Sequence, residues 1–329
     1  MRYRMLGRTG LKVSEVGFGA WAIGGPAELG GTQIGWGDVD DGVSIRAVHA
    51  ALDAGVNFID TADSYGCGHS EEVLAKALGG RRDEVIIATK FGSRIDPTGN
   101  WVKDFSGGWI PQAVEASLTR LETDYIDLIQ CHSPWALEAL TDDTFAALET
   151  LRDAGKIRHV GVSVKQTEHG VPILRRWPQV EVIQVVYNIL SRQPETDLLP
   201  LAQERNVGII GRVPLASGFL TGKFAPDVTF PENDHRRRSY PPEKARRVVE
   251  AVEKLRFLER DGTKSMAQAA LQFCLSHLSV STVIPGGKTP EQAGDNAAAS
   301  DGVLLTEDEL ARIRADVTGD LAGTTVSKK

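Results

Sequence analysis

FIDTADSYGCGHSE occupies positions 58–71. Phe58 and Ile59 read as the end of a strand buried on both faces, because such strands are apolar on consecutive positions. The run then breaks at a carboxylate, Asp60, and a phenol, Tyr65, follows in a glycine-rich turn. Ser70 and Glu71 open a helical pattern, SEEVLAKALG (70–79). Strand, polar turn and helix make one unit of a parallel α/β fold.

The same unit recurs along the chain. The runs VSEVGFG (13–19), NFID (57–60), EVIIATK (84–90), YIDLIQCH (125–132), HVGVS (159–163), VIQVVYN (182–188), VGIIGR (207–212) and STVIP (281–285) read as strands. Helical patterns lie between them: GVSIRAVHAALDAG (42–55), PQAVEASLTRLETD (111–124), TDDTFAALETLRDAGK (141–156) and PEQAGDNAAA (290–299). Pro111 and Pro290 suit first helical turns, and Gly55, Gly79 and Gly155 suit helix C-termini. Eight alternations predict a closed (β/α)8 TIM barrel, with an open doubly wound sheet as the alternative. The first eleven residues are expected to form a hairpin across the barrel bottom. Residues 213–280 exceed a minimal barrel and hold two more helical patterns, 243–260 and 265–278. No linker or short repeat divides the chain, so residues 1–329 are expected to form one domain, with 318–329 as a flexible tail.

In such a barrel the C-terminal strand ends converge on one face, where active sites sit. The polar residues at those ends are Asp60, Lys90, His132, Ser163, Gln184 with Tyr187, and Arg212. Each alone has an ordinary explanation. Asp60 can cap a turn, Lys90 can be solvated, and His132 can be a satisfied buried histidine. Their shared position on successive strands points to chemistry instead. A tyrosine, with a reference pKa of about 10, needs a nearby ammonium to reach its phenolate. Lys90 supplies the ammonium and Asp60 the counter-charge. His132 is placed to orient a substrate oxygen. A relay from Asp60 through Lys90 to Tyr65 would protonate a carbonyl oxygen during hydride addition, or deprotonate an alcohol in reverse.

Composition narrows the alternatives. A net charge of −7 argues against a general nucleic-acid binder. No apolar run is long enough to cross a membrane, and MRYRMLGRTG lacks the apolar core of a signal peptide. The cysteines, Cys67, Cys131 and Cys274, are too widely spaced for a disulfide framework or a C-x-x-C site. The expectation is a cytoplasmic protein with a small carbonyl or alcohol substrate, no metal, no nucleic-acid partner and no membrane partner. A metal-dependent barrel hydrolase would need clustered His and carboxylate ligands. Only His132 is a strand-end imidazole, and no H-x-H occurs. Nothing in the chain fixes an oligomeric state.

NFIDTADSYG, VIIATK, LIQCHSP, GVS, QVVYN, PLASGFLTGK and IPGGKTPEQ, in that order, resemble the aldo-keto reductases over about residues 3–300. The resemblance implies a (β/α)8 barrel that binds NADP(H) in extended form without a Rossmann domain. It implies reversible hydride transfer between nicotinamide and an aldehyde, ketone or sugar. It places the family's catalytic tetrad on Asp60, Tyr65, Lys90 and His132, with Tyr65 as general acid/base. It also leaves a second reading, a cofactor-binding regulatory or partner subunit of the same fold, since some relatives are channel subunits.

Side chains cannot donate hydride, so the chemistry requires a nicotinamide or a flavin. GFGAW (17–21) is followed by Ala22 and is not a G-x-G-x-x-G fingerprint. The resemblance puts Gly19, Trp21 and Asp60 beside the cofactor and Ser163 and Gln184 on its carboxamide. Val164 stands where the family usually has Asn, and Arg212 where it often has an aromatic ring; a guanidinium is planar and can stack too. Leu215, Ser217, Gly218, Leu220 and Lys223, in PLASGFLTGK (214–223), are expected around the pyrophosphate. Residues 213–242 are expected to cover the cofactor, with the basic HRRRS (235–239) either closing on an anion or simply solvated. In IPGGKTPEQAGDN (284–296), Gly286 permits close approach and Lys288 is expected on a 2′-phosphate. Gln292 and Asn296 are expected at the adenosine end. Many relatives carry Arg where Gln292 stands, so NADP(H) is expected ahead of NAD(H) on Lys288. Trp21, Trp36, Trp101, Trp109 and Trp135 either wall a substrate pocket or pack loops. Asp38, Asp40 and Asp41 suit a helix start. Cys67 and His69 share the Tyr65 loop without an assigned role.

Overall fold

The computed structural model describes residues 1–260 and 262–321. The chain begins with an antiparallel hairpin, Tyr3–Met5 against Lys12–Ser14. Eight parallel strands follow: β1 (Phe18–Gly19), β2 (Phe58–Asp60), β3 (Ile86–Phe91), β4 (Ile126–His132), β5 (Ile157–Ser163), β6 (Val182–Val186), β7 (Gly208–Arg212) and β8 (Val280–Ile284). Their order in the sheet is their order in the chain. Backbone bonds from Gly17 N to Val283 O (2.8 Å) and Gly19 N to Pro285 O (3.0 Å) join the first strand to the last. A Cβ on Gly19 would lie 2.7 Å from Ile284 O, so this seam requires glycine.

Helices alternate with the strands: α1 (Asp41–Asp53), α2 (His69–Leu78), α3 (Ile110–Leu121), α4 (Asp142–Asp153), α5 (Gly170–Arg176) and α6 (Leu198–Glu204). Between β7 and β8 lie α7 (Arg236–Ser239), α8 (Pro242–Glu253) and α9 (Met266–Ser276). After β8 come α10 (Pro290–Ala298) and α11 (Glu307–Asp316). Asp40 caps α1 by accepting from Val43 N at 2.7 Å, which accounts for one of the three early carboxylates.

Two sequence expectations are corrected. The run 13–19 is not one strand. Buried Glu15 is tied to Arg4 Nε (2.7 Å) and Ser300 Oγ (3.0 Å), and the chain turns there from hairpin to barrel. The pattern 243–260 is not one helix either. It passes from α8 into a 3-10 turn at Arg256–Leu258. Residues three apart eclipse in that tighter turn, which lets Leu255 and Leu258 both be fully buried. Of the expected tail, residues 322–329 lie outside the described residues.

Inward side chains alternate along each strand. A small inner cluster holds Leu6 and Val13 from the hairpin with Phe58, Ala88, Leu128, Val182, Ile210 and Ile284 from the strands. The hairpin thus plugs the barrel with apolar side chains, as its sequence led one to expect. Moving two residues toward the C-terminal strand ends from this layer reaches Asp60, Lys90, Gln130, Gln184 and Arg212. The barrel's period of two therefore converts an apolar floor into a polar mouth.

Candidate active site

The centre of the mouth is a buried ion pair. Lys90 Nζ donates to Asp60 Oδ1 at 2.6 Å, to Thr61 O at 2.7 Å and to Tyr65 Oη at 3.1 Å. All three ammonium protons are thereby used. A fully buried lysine needs this, because an unpaired buried charge costs several kcal/mol. Burial opposes the ammonium, but Asp60 and then Tyr65 outweigh it and hold Lys90 above the ordinary lysine value.

Tyr65 reaches this point through a tightly packed turn. Gly66 has φ +62, and a Cβ there would lie 2.0 Å from Gly24 O, so the loop after β1 and the loop after β2 are pressed together. Burial raises the phenol above its ordinary value, while Lys90, and more weakly Arg212, pull it down. The expectation that Lys90 makes phenolate available is therefore qualified. Lys90 moderates the cost of burial, and the resting phenol stays protonated at neutral pH.

The His132 ring stands edge-on to Tyr65 with centroids 5.8 Å apart. Its Nδ1 lies 3.3 Å from Ser64 Oγ, which leaves Nε2 for a ligand. Burial, then the charges of Lys103, Lys90 and Arg212, hold its pKa well below the usual histidine value, so the ring is neutral.

Asp60 Oδ2 accepts from Gln184 Nε2 at 2.7 Å and from Gln130 Nε2 at 3.2 Å. Ser163 Oγ donates to Gln184 Oε1 at 3.2 Å. Gln130 had no role in the sequence reading, although it lies two residues before His132 on the inward face of β4. Glu71, the last residue of 58–71, is likewise marked by no local pattern. It is fully buried, accepts from Thr89 Oγ1 (2.6 Å) and Arg120 Nε (2.7 Å), and anchors α2 behind the Tyr65 turn. Tyr187, by contrast, leaves the mouth. It is buried against Phe273 and donates to Glu195 Oε1 at 2.8 Å.

Two further charged groups near the site, Lys103 and Asp63, are marked by no sequence motif. Lys103, on the hairpin Ser93–Ile95/Trp101–Lys103 that follows β3, donates to His132 O and Ser93 Oγ, both at 2.8 Å. Asp63 Oδ1 is buried without a partner. Burial, then Glu71, push Asp63 up to about 7, and burial brings Lys103 down to about 8. These contacts join separate loops, so no local motif announces them.

The residues expected around a cofactor fall on the β1, β5–β6 and β7–β8 side. Gly19 bridges Gly286 across the seam. Trp21 stacks on Tyr65, with centroids 5.9 Å apart and 24° between planes, and donates from Nε1 to Ile34 O. Arg212 donates from Nη2 to Val164 O at 3.0 Å, so the two departures from the expected pattern touch each other. Its Nε is buried without an acceptor. The turn after β7 has Val213, Ala216 and Ser217 at positive φ. The amides of Gly218 and Leu220 both donate to Leu215 O, and Leu220 is fully buried in the core. Lys223 is exposed, with Nζ 5.3 Å from the Phe224 ring. Lys288 donates from Nζ to Trp36 O at 2.8 Å, and its backbone N–H donates to Gln292 Oε1 at 2.9 Å. Asn296 Nδ2 donates to Gly286 O at 3.3 Å.

The basic segment is more than a charge run. His235 packs between Trp21 (4.7 Å) and Trp36 (4.4 Å), and Arg236 pairs with Asp234 while reaching toward Ser217 O (3.4 Å). A continuous stack thus runs from Tyr65 through Trp21 and His235 to Trp36. His69 starts α2 and turns its ring to Gly24 O and Asp41, and Cys67 is exposed beside Glu28 O. Among the described residues no cluster of three or more His, Cys, Asp or Glu suits a metal ion, and no helix is long and apolar enough to cross a membrane.

The donor set fits a nicotinamide dinucleotide. An orphaned guanidinium nitrogen sits at the centre, and partly buried Lys288 lies beside Arg236 at the rim. Gly286 is open, with nothing nearer than 3.7 Å to an added Cβ.

Residues 15–316 match the model of the aldo/keto reductase family. A relative from Bacillus subtilis (strain 168), aldo-keto reductase YhdN, is 35% identical over 94% of this chain and 92% of its own. The solved holo form of aldo-keto reductase AKR11C1 from Bacillus halodurans is 32% identical, with a TM-score of 0.80 and 97% of each chain covered. An aldo-keto reductase from Klebsiella pneumoniae, solved in complex with NADPH, is 26% identical, with a TM-score of 0.71, over 96% of this chain and 95% of that one. With a (β/α)8 barrel and these likenesses over nearly its whole length, the chain belongs to the aldo/keto reductase family of oxidoreductases.

Proposed function

We propose that this protein is an NADP(H)-dependent reductase of aldehydes, ketones or sugars, acting reversibly, with Tyr65 as general acid/base. The observation that carries the reading is the bonding of one buried ammonium, Lys90 Nζ, to both Asp60 and Tyr65 Oη. Nicotinamide, when bound, supplies the hydride. The NADPH complex of the Klebsiella relative supports that cofactor.

Arg212, Ser163 and Gln184 would hold the nicotinamide end, and Lys288 with Arg236 would face the phosphates. Residues 213–242 would cover the cofactor, through the His235 stack on Trp21 and Trp36. The chain's own residues move the proton. With Ser64 Oγ–H as donor in its 3.3 Å contact with His132 Nδ1, the ring proton would sit on Nε2, where a neutral imidazole donates to a carbonyl oxygen without competing for the proton. The Tyr65 phenol gives its proton to that oxygen as negative charge develops there. Lys90 stabilises the phenolate left behind, and Asp60 holds Lys90 in place. The Trp21 ring on Tyr65 excludes water from one side of the phenol.

The test is NADPH consumption with a panel of aldehydes, ketones and aldoses, alongside calorimetric titration of NADPH. Turnover with several carbonyls is the expected result. Tight NADPH binding with no consumption across the panel would overturn it and favour a cofactor-binding partner subunit.

A further inference from the structure

Two loops of the mouth, those after β3 and after β5, each carry a lysine. The hairpin after β3 brings Lys103, whose Nζ is pinned to His132 O and Ser93 Oγ and keeps one N–H free. The loop after β5 brings Lys165, two residues beyond Ser163. Burial, and more weakly the charge of Lys165, hold Lys103 below the ordinary lysine value. Among the described residues neither forms an ion pair, whereas Arg94 on the same hairpin is bonded to Asp104 at 2.7 Å. Two tryptophans flank them. Lys103 Nζ lies 5.7 Å from the Trp101 ring and Lys165 Nζ 5.9 Å from the Trp135 ring, and the rings meet edge to face at 6.0 Å. Trp135 is 49% exposed, and Trp101 Nε1 and Arg212 Nε are buried donors without acceptors.

The charge count around His132 is therefore uneven. Lys90 is cancelled by Asp60. Lys103 and Arg212 add positive charge at His132, and Lys165 adds more at Lys103, where Asp63 opposes it, within a chain whose net charge is −7. A locally positive mouth on an acidic protein attracts anions selectively. Unpaired like charges persist at a cost unless a ligand offsets them.

We propose that the preferred substrate carries an anionic group, carboxylate or phosphate, besides its carbonyl, and that Lys103 and Lys165 receive that group between Trp101 and Trp135. The inference rests on the reading of Tyr65 and His132 as the carbonyl-binding pair. Lys103 sets the geometry, because it is bonded to the main chain of the residue whose ring meets the carbonyl oxygen. The tryptophan rings exclude water beside the ammonium groups, which strengthens a charge-assisted bond there.

The test compares kcat/KM with NADPH for two matched pairs: succinic semialdehyde against butanal, and glyceraldehyde 3-phosphate against glyceraldehyde. The expected result is an anionic preference of about tenfold or more in at least one pair, the size of one hydrogen bond to a charged group. That pair identifies the source, carboxylate or phosphate. The preference should shrink with added salt. Lys165→Gln should reduce it and Lys165→Glu should invert it. Calorimetric titration of succinate and succinamide into the same proteins provides a readout independent of turnover. Succinate binding lost in Lys165→Glu supports the inference even if no carbonyl is turned over, and in that case only the reductase reading fails. Turnover of butanal and glyceraldehyde with no anionic preference, or a preference untouched by either Lys165 variant, overturns the inference and leaves the reductase reading standing.

Discussion

Gln184 Nε2 donates to Asp60 Oδ2 at 2.7 Å. The amide expected on the cofactor's carboxamide thus also supports the buried carboxylate, on the oxygen that Lys90 does not contact. Gln184→Leu should remove this bond and leave Asp60 Oδ2 with Gln130 alone. The expected loss is about 1–3 kcal/mol of stability in cofactor-free protein, measured by urea denaturation, with a fall in kcat. A variant that only weakens cofactor binding, at unchanged cofactor-free stability, would show that the Asp60 contact contributes nothing.

Lys90→Met should be more damaging. It strands Asp60 in the barrel without its cation, and breaking a buried pair this way costs roughly 3–5 kcal/mol. Chemical denaturation checks the stability, and turnover should vanish. A loss below about 1 kcal/mol would mean that Asp60 is not a charged partner in the folded protein.

Leu6→Ala tests the plug. Leu6 is fully buried among the inward side chains of the barrel. Truncating it should cost roughly 2–5 kcal/mol through the cavity left behind, with KM for substrate little changed because the site lies at the other end. A large KM effect would contradict the separation of floor and mouth.

Two pH effects follow from the buried groups. His235, between two tryptophans, is pushed down to about 4 by burial. An unfolded histidine titrates near about 6.5, so between those values the unfolded state binds the additional proton. Stability should then fall as pH falls through that window. In His235→Gln this component should be absent, so the stability lost between neutral pH and pH of about 5 should be smaller than in the parent. Equal losses would place a charged imidazole in the stack. Asp63 works in the opposite sense. With its folded value raised to about 7, it costs stability as pH rises from the carboxylate range through that value, and Asp63→Asn should relieve that cost.

The phenol governs direction. Because burial lifts Tyr65 above the ordinary tyrosine value, the proton for carbonyl reduction is in place across neutral pH. The rate of reduction should be flat there and fall at alkaline pH, whereas alcohol oxidation should rise as the phenolate forms. Parallel pH profiles in both directions would assign the titrating group to something other than Tyr65.

The barrel and the polar ring at its mouth were legible because both follow from local periodicity. Asp60, Lys90 and His132 each terminate an apolar run. Gln130 was hidden inside the run YIDLIQCH, yet counting back two from His132 puts it on the same inward face. Tyr187 erred in the other direction, since it sits an odd step from inward Gln184 and points away. The contacts of Lys103, Asp63 and His235 join loops far apart in sequence, and no periodicity encodes those. The HRRRS segment reads as charge, but the group that fixes it is its histidine, buried in an aromatic stack.

The most direct measurement is single-turnover carbonyl reduction by Tyr65→Phe, with NADPH affinity measured on the same protein. The substitution removes only the phenolic oxygen that Lys90 contacts at 3.1 Å. The expected outcome is near-parental NADPH affinity with reduction slowed by about a hundredfold or more, the contribution of a positioned general acid. Reduction at close to the parental rate would contradict Tyr65 as the proton donor.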